Sequence, residues 1–207
     1  MAFKGWKPQA IEFYEGLEAD NSKTYWQAHK ADYDALVLRP MEELLDELAP
    51  EFGEGRIFRP YRDVRFSADK SPYKTNIAAG MGGVGYLQLS ADGLMAGSGY
   101  WMMAADQLER YRAAVAAEGT GRKLQSLVDA LRKKGLDVHG SEVVKTAPKG
   151  YPREHPRVEL LRFKGLVVMK SWEPAAWLGT AGAKKRVVDV FHSAKPLLAW
   201  LQTNVGA

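Results

Sequence analysis

Apolar side chains recur at helical spacing through the first 52 residues of the chain. Pro8 stands where the first turn of a helix tolerates proline, and Asn21 or Ser22 can cap a second helix. Pro40 opens a third stretch with an apolar face. The pattern therefore predicts three helices before the glycines at positions 53 and 55 end the series. Their apolar stripes are Ala10, Phe13, Tyr14 and Leu17; Trp26, His29, Tyr33 and Leu36; and Met41, Leu44, Leu45, Leu48 and Phe52.

The apolar period changes to two over residues 56–103, which is typical of strands. Alternation over 58–66 predicts one strand, whose extent Pro60 limits. Alternation over 87–89 predicts a second strand, and the turn at 90–93 predicts a hairpin into a third.

Helical spacing resumes in the second half of the chain, which also contains a loop-rich stretch and one further strand. The predicted helices lie near 108–115, 124–131, 155–162 and 187–201, the strand over 166–169 and the loops over 135–153. Helices, a block of strands and more helices predict an α+β fold. We expect one domain over residues 1–207, with a small mixed or antiparallel sheet flanked by helices.

Composition narrows the class of protein. Hydrophobic residues make up 46% of the chain and charged residues 26%, as in ordinary globular proteins. The longest apolar runs are only a few residues, such as 166–169, so no membrane partner is expected. The N-terminus lacks the apolar run of a secretory signal, and we therefore expect a cytoplasmic protein. The absence of cysteine excludes disulfides, thiolate metal sites and cysteine nucleophiles.

Charge is distributed unevenly around a net value of +4. Residues 1–55 carry 5 basic and 12 acidic side chains, whereas residues 56–75 carry 6 basic and 2 acidic ones. Residues 144–170 carry 7 basic and 2 acidic side chains. The two basic segments would form a cationic site if they meet in space, and such a site favours an anionic partner. Alternatively, they pair with the acidic helices at the N-terminus.

The first basic segment contains the highest concentration of candidate ligand-binding side chains. Strand alternation would place Arg62 on the apolar face with Val64 and Phe66, where a charged side chain needs a partner. Asp69, a carboxylate from elsewhere or a bound anion could satisfy it. Guanidinium groups match the oxygens of phosphates and carboxylates. The candidate ligand-binding residues are Arg59, Arg62, Asp63, Arg65, Lys70, Tyr73 and Lys74.

These residues predict a protein that binds a small anionic ligand, with or without enzymatic turnover. A phosphorylated metabolite, a nucleotide or a carboxylate would fit the chemistry. Lys149, Arg162 and Lys164 are weaker candidates for the far wall of the site. One alternative is a nucleic-acid-binding module, with tryptophans stacking bases beside the basic segments. Another is an interaction or scaffold protein in which the Arg/Asp cluster is purely structural and joins the strand to the acidic helices.

The basic segment also carries a long family signature. The pattern R-x-x-R-D-x-R-F, then D-K-x-x-Y, occurs at Arg59, Arg62, Asp63, Arg65, Phe66, Asp69, Lys70 and Tyr73. It resembles the signature of the bacterial domain-of-unknown-function family numbered 2461. The resemblance extends along the chain and includes the Gly97-x-Gly99-x-Trp101 strand and the Pro148-to-Pro152 turn. Because that family has no assigned activity, the resemblance implies no catalytic residue.

Other motif matches lack the context that their chemistry needs. Residues 80–85 match the dinucleotide fingerprint G-x-G-x-x-G, but a strand follows where the fingerprint needs a helix. Residues 71–74 match S-x-x-K without the companion motifs of serine acyl enzymes. The four histidines are far apart and outside zinc-binding spacings. No metal and no cofactor is therefore predicted.

Overall fold

Four consecutive strands follow the N-terminal helices, and two more strands lie between later helices, in the computed structural model, which describes residues 2–65, 67–83 and 85–206. Within these residues the strands are β1 (Gly55–Ile57), β2 (Asn76–Met81), β3 (Gly85–Ser90), β4 (Gly93–Tyr100), β5 (Asp137–His139) and β6 (Leu166–Trp172). They form one antiparallel open sheet in the order β1-β2-β3-β4-β6-β5. The α+β fold and the antiparallel sheet are thereby confirmed.

Helices precede, interrupt and follow the strands. They are α1 (Pro8–Ala19), α2 (Lys23–Asp32), α3 (Arg39–Phe52), α4 (Ala105–Ala116), α5 (Glu118–Lys133), α6 (Val158–Leu161) and α7 (Gly182–Asn204). A π-helical segment, Tyr33–Leu38, joins α2 to α3, and a short 3₁₀ turn spans Ala176–Gly179. Pro8 lies in the first turn of α1, as predicted, and the predicted cap at Ser22 is confirmed, since its hydroxyl accepts a hydrogen bond from the Tyr25 N–H. No helix in the described part of the chain has the length and apolarity needed to cross a bilayer.

The strand predicted over 58–66 is wrong. Strand β1 ends at Ile57, and the residues that follow have irregular backbone with a single bridge between Tyr61 and Tyr73. Pro60 has no N–H to donate to a ladder, which interrupts the pairing. Phe66, the last residue of the predicted strand, lies outside the described residues.

Strand β2 was not predicted from the pattern, although it pairs with both neighbours. Its register places Ala79 opposite Ile57 of β1 and Leu87 of β3. The segment Asn-Ile-Ala-Ala-Gly-Met is rich in small residues, and consecutive side chains are buried. Because both faces are covered, the hydrophobic alternation that marks a half-exposed strand is missing.

The glycine-rich turn between β2 and β3 has the geometry of a hairpin connection. Gly82 and Gly83 have φ values of +55° and +78°, which favour glycine. A Cβ at Gly82 would lie 2.0 Å from the Phe52 carbonyl oxygen. A strand on each side confirms that the G-x-G-x-x-G match is a turn between strands; Val84 within it lies outside the described residues.

Two compact units divide the described chain. The first comprises residues 1–96 with 171–189, and the second comprises 97–170 with 190–207. Fully buried side chains form the core of the first unit: Leu17, Leu44, Leu48, Ile77, Leu87 and Leu89. In the second unit Tyr111, Leu124, Val128 and Leu201 are fully buried. The single domain expected over 1–207 stays a prediction.

Candidate functional site

A cleft of about 680 Å³ lies in the first unit, beside the π-helical segment and the irregular chain that follows β1. This volume is in the range of small-molecule sites. The cleft lining contains four cationic side chains and three aromatic rings: Lys30, Arg56, Arg59 and Lys74, with Tyr33, Phe58 and Tyr61. One carboxylate, Asp34, also lines it. We call this feature the cationic cleft.

The π-helical segment supplies one wall of the cationic cleft. Such segments are rare and occur frequently at functional sites. Tyr33, at its start, is 4% exposed, and its ring lies 4.9 Å from that of Trp26. Burial, and then the negative charges of Asp34 and Glu42, raise the pKa of Tyr33 to about 12. Its hydroxyl therefore stays protonated near neutral pH and can donate a hydrogen bond.

Lys30 and Asp34 neutralise each other one helical turn apart. The Lys30 ammonium donates to both carboxylate oxygens of Asp34, at 2.6 and 2.5 Å. In the part of the chain that the structure describes, Arg56, Arg59 and Lys74 form no ion pair with a carboxylate. Three of the four cations are therefore available to an anion.

Backbone hydrogen bonds hold residues 58–61 and 73–74, which we call the cleft floor and which carry Arg59 and Lys74. The Phe58 N–H donates to the Ala78 carbonyl at 2.8 Å, and the Lys74 N–H donates to the Pro60 carbonyl at 2.8 Å. Arg59 lies between these two connections. The Lys74 ammonium is 5.9 Å from the centroid of the Phe58 ring, which is within cation–π range. Cations held close together by a paired backbone attract an anion over a distance of several ångströms.

An asparagine from the turn before α2 anchors the same floor. The Asn21 side chain accepts from the Tyr73 N–H at 3.0 Å and donates to the Tyr73 carbonyl at 3.2 Å. The Tyr73 ring stacks on Trp26, with 4.4 Å between centroids and 10° between planes. Tyr61 bridges to Tyr73 through the backbone and lies with its ring 5.5 Å away. The exposed ring of Tyr61 thus rests on a buried aromatic base.

The structure separates the seven candidate residues into two groups. Arg59 and Lys74 line the cationic cleft, and Tyr73, 5% exposed, is buried in the aromatic base beside it. The remaining four are outside the lining: Arg62, Asp63, Arg65 and Lys70. They lie in the turn between Tyr61 and Tyr73.

The prediction that Arg62 is desolvated is wrong. Its side chain is 33% exposed and forms an ion pair with Asp69, whose side chain is 53% exposed. Because β1 ends at Ile57, no strand places Arg62 on an apolar face. Of the three partners considered, Asp69 is the one observed. An exposed pair of this kind contributes little to stability and carries none of the cost of a buried charge.

The other charged side chains of that turn also have local hydrogen-bond partners. Arg65 donates to Asp63 through Nε at 2.9 Å and through Nη2 at 2.6 Å, and the Lys70 ammonium donates to the Val64 carbonyl at 2.9 Å. Hydrogen bonds from Arg65 lower the pKa of Asp63. The carboxylates paired with Arg62 and Arg65 thus come from the same turn rather than from the acidic helices.

Sequence reasoning missed Lys30, Tyr33, Asp34 and Arg56 as site residues. Lys30 lies in a segment of negative net charge. Tyr33, three residues later, fits the apolar stripe of the second predicted helix and was therefore interpreted as a core residue. The i, i+4 spacing of Lys30 and Asp34 was an available signal for their pairing. Arg56 belongs to the basic segment, so its charge was visible although its position was not.

The second basic segment belongs to the other compact unit. There the Arg162 Nε donates to the Val144 carbonyl at 2.7 Å, and Lys164 forms an ion pair with Glu142. Both residues thus have local partners. The predicted role of Lys149, Arg162 and Lys164 as a far wall stays a prediction.

Comparison with known proteins identifies the family. The family described as "Conserved hypothetical protein (DUF2461)" matches residues 9–200, which is nearly the whole chain. The chain therefore belongs to this family, as the signature around the first basic segment indicated. Neither a curated protein nor a solved structure matches the chain.

Proposed function

We propose that the cationic cleft binds a small anionic ligand such as a phosphorylated metabolite, a nucleotide or a carboxylate. The observation that carries this proposal is the set of three cations, Arg56, Arg59 and Lys74, around one cleft without a paired carboxylate in the described residues. Like charges held together in the free protein repel one another, and a bound anion relieves that repulsion. Arginine forks and a lysine point charge suit phosphate and carboxylate oxygens.

The size and shape of the site favour a small molecule over a polymer. A cleft of about 680 Å³ has the volume of a small-molecule site, whereas a nucleic-acid interface needs cations spread along a strip to meet successive phosphates. Asp34 is already paired with Lys30, so the available chemistry is cationic and aromatic. We propose binding alone and assign no reaction.

Thermal melting with inorganic phosphate tests the proposal. We expect phosphate to raise the Tm of the wild-type protein, because a ligand at one hundred times its Kd adds about 2.7 kcal/mol to the free energy of unfolding. The double variant Arg59→Gln, Lys74→Gln should lose this rise. Phosphate also stabilises proteins by exclusion from their surface, so a control is needed.

The control variant is Lys70→Gln, in the same basic segment but outside the cleft lining. It should keep the full phosphate response. An equal response in all three proteins, or none in any, would overturn the proposal. Tight binding to DNA or RNA that weakens steeply with salt, measured by fluorescence anisotropy, would instead favour the nucleic-acid alternative.

A further inference from the structure

Two exposed aromatic rings line the cationic cleft. Phe58 is 41% exposed and Tyr61 is 48% exposed, and both belong to the small set of large apolar side chains that are exposed in the described chain. Exposed rings are costly to keep in water, and their concentration at one cleft indicates a binding surface. The arginines and lysine do not explain them, because charge alone needs no aromatic wall.

Two buried aromatic rings support the ring of Tyr61. Behind it lie Tyr73, at 5.5 Å, and Trp26, at 6.3 Å, which are themselves stacked at 4.4 Å. The Asn21 side chain holds the Tyr73 backbone through hydrogen bonds to both its N–H and its carbonyl. A ring whose support is already ordered loses little conformational freedom when a planar group binds on it.

The cations lie next to the rings along the chain. Arg59 follows Phe58 and precedes Tyr61 by two residues, and the Lys74 ammonium lies 5.9 Å from the Phe58 centroid. A ligand in the cationic cleft therefore meets an aromatic surface and a positive charge within a few ångströms. An aliphatic anion would use the charge and leave both rings in water.

We propose that the ligand is an aromatic phosphate of nucleotide size, with its planar ring stacked on the Tyr61 side of the cleft and its phosphate held by Arg56, Arg59 and Lys74. This inference rests on the proposed function and narrows its ligand class. The volume of about 680 Å³ accommodates a ring, a linking sugar and a phosphate.

Isothermal titration with AMP and ribose 5-phosphate tests the ring. The two probes carry the same phosphate monoester, and only AMP carries a planar base. We expect AMP to bind about tenfold more tightly, since stacking of one base on an aromatic side chain gives a preference of roughly this size or larger. Adenosine, which has the ring without the charge, should bind more weakly than either probe.

Matched variants assign the preference to the ring of Tyr61. Tyr61→Leu keeps an apolar side chain but removes the aromatic face, and should reduce the preference for AMP to about twofold or less. Tyr61→Phe should retain it. Ribose 5-phosphate should bind the wild-type protein and both variants alike. Phe58→Leu provides a second test if Tyr61→Leu fails to fold.

The outcomes separate this inference from the proposed function. Equal binding of AMP and ribose 5-phosphate, or a preference that survives both leucine substitutions, would overturn the aromatic ligand while leaving anion binding intact. Failure of every phosphate, and of a carboxylate probe such as citrate, to bind would overturn the proposed function itself.

Discussion

Arginines only a few residues apart have different roles because their local partners differ. Arg62 and Arg65 each meet a carboxylate of their own turn, Asp69 and Asp63 respectively. Arg59 lines the cleft and has no ion-pair partner among the described residues. Whether an arginine can hold a ligand therefore depends on the few residues around it rather than on the charge of the whole segment.

The pair of Arg62 with Asp69 makes a prediction about acid stability. Hydrogen bonds from Ser71, and then from Arg62, hold the pKa of Asp69 at about 2. The unfolded chain has the ordinary aspartate pKa near 3.9, so it binds the proton first as the pH falls. The stabilisation is therefore fully present above about pH 4 and is lost as the pH falls through about 2.

Urea unfolding of Asp69→Asn at several pH values checks this prediction. The variant has no carboxyl to titrate, so its stability should fall less between about pH 4 and about pH 2 than that of the wild-type protein. Gln27→Ala, an exposed substitution in α2 that changes no titratable group, is the control and should keep the wild-type slope. A wild-type slope in Asp69→Asn would contradict the account.

At the scale of elements, the sequence predicts those helices and strands whose apolar residues recur at a regular spacing. The first three helices follow from apolar stripes, and the hairpin of β3 and β4 follows from alternation around the turn at 90–93. Strand β2 escapes prediction because both of its faces are buried. The strand expected over 58–66 fails because alternation alone cannot show that the missing N–H of Pro60 breaks the ladder.

The candidate site is harder to predict than the fold. The apolar stripe of the second predicted helix runs through Tyr33 and Leu36 at ordinary helical spacing, so nothing in it signals the π-helical segment that brings Tyr33 and Asp34 to the cleft. The sequence does place Arg59 and Lys74 in a basic segment. It cannot show which cations of that segment are already paired, because this depends on how the turn folds.

The link between the turn before α2 and the cleft floor makes a further prediction. Asn21→Ala removes both hydrogen bonds to the backbone of Tyr73 and leaves a partly buried N–H and carbonyl without those partners. We expect a loss of about 1–3 kcal/mol in the free energy of unfolding, measured with urea. Hydrogen exchange at the Tyr73 amide should also become faster.

Asn21→Asp provides a second variant. The aspartate keeps an acceptor for the Tyr73 N–H, but it places a carboxylate oxygen where the amide donated to the Tyr73 carbonyl, and the two oxygens repel each other. Its stability should therefore also fall below that of the wild-type protein. Unchanged stability and exchange in Asn21→Ala would show that this contact does not hold the cleft floor.

At the scale of the whole molecule, a modest net charge of +4 conceals a local concentration of positive charge. Of the 25 acidic side chains, 12 lie in residues 1–55, and one of them, Asp34, reaches the cationic cleft and pairs with Lys30. Three cations remain at a site of small-molecule size. We propose that the first compact unit keeps these three cations for an anionic ligand.

A crystal structure of the protein grown with selenate, an oxyanion close to phosphate in shape, tests this claim most directly. The anomalous signal of selenium identifies the anion and its position. We predict a selenate ion in the cationic cleft, in contact with Arg59 and with Arg56 or Lys74. Selenate bound at other sites of the chain while the cationic cleft holds none would contradict the claim.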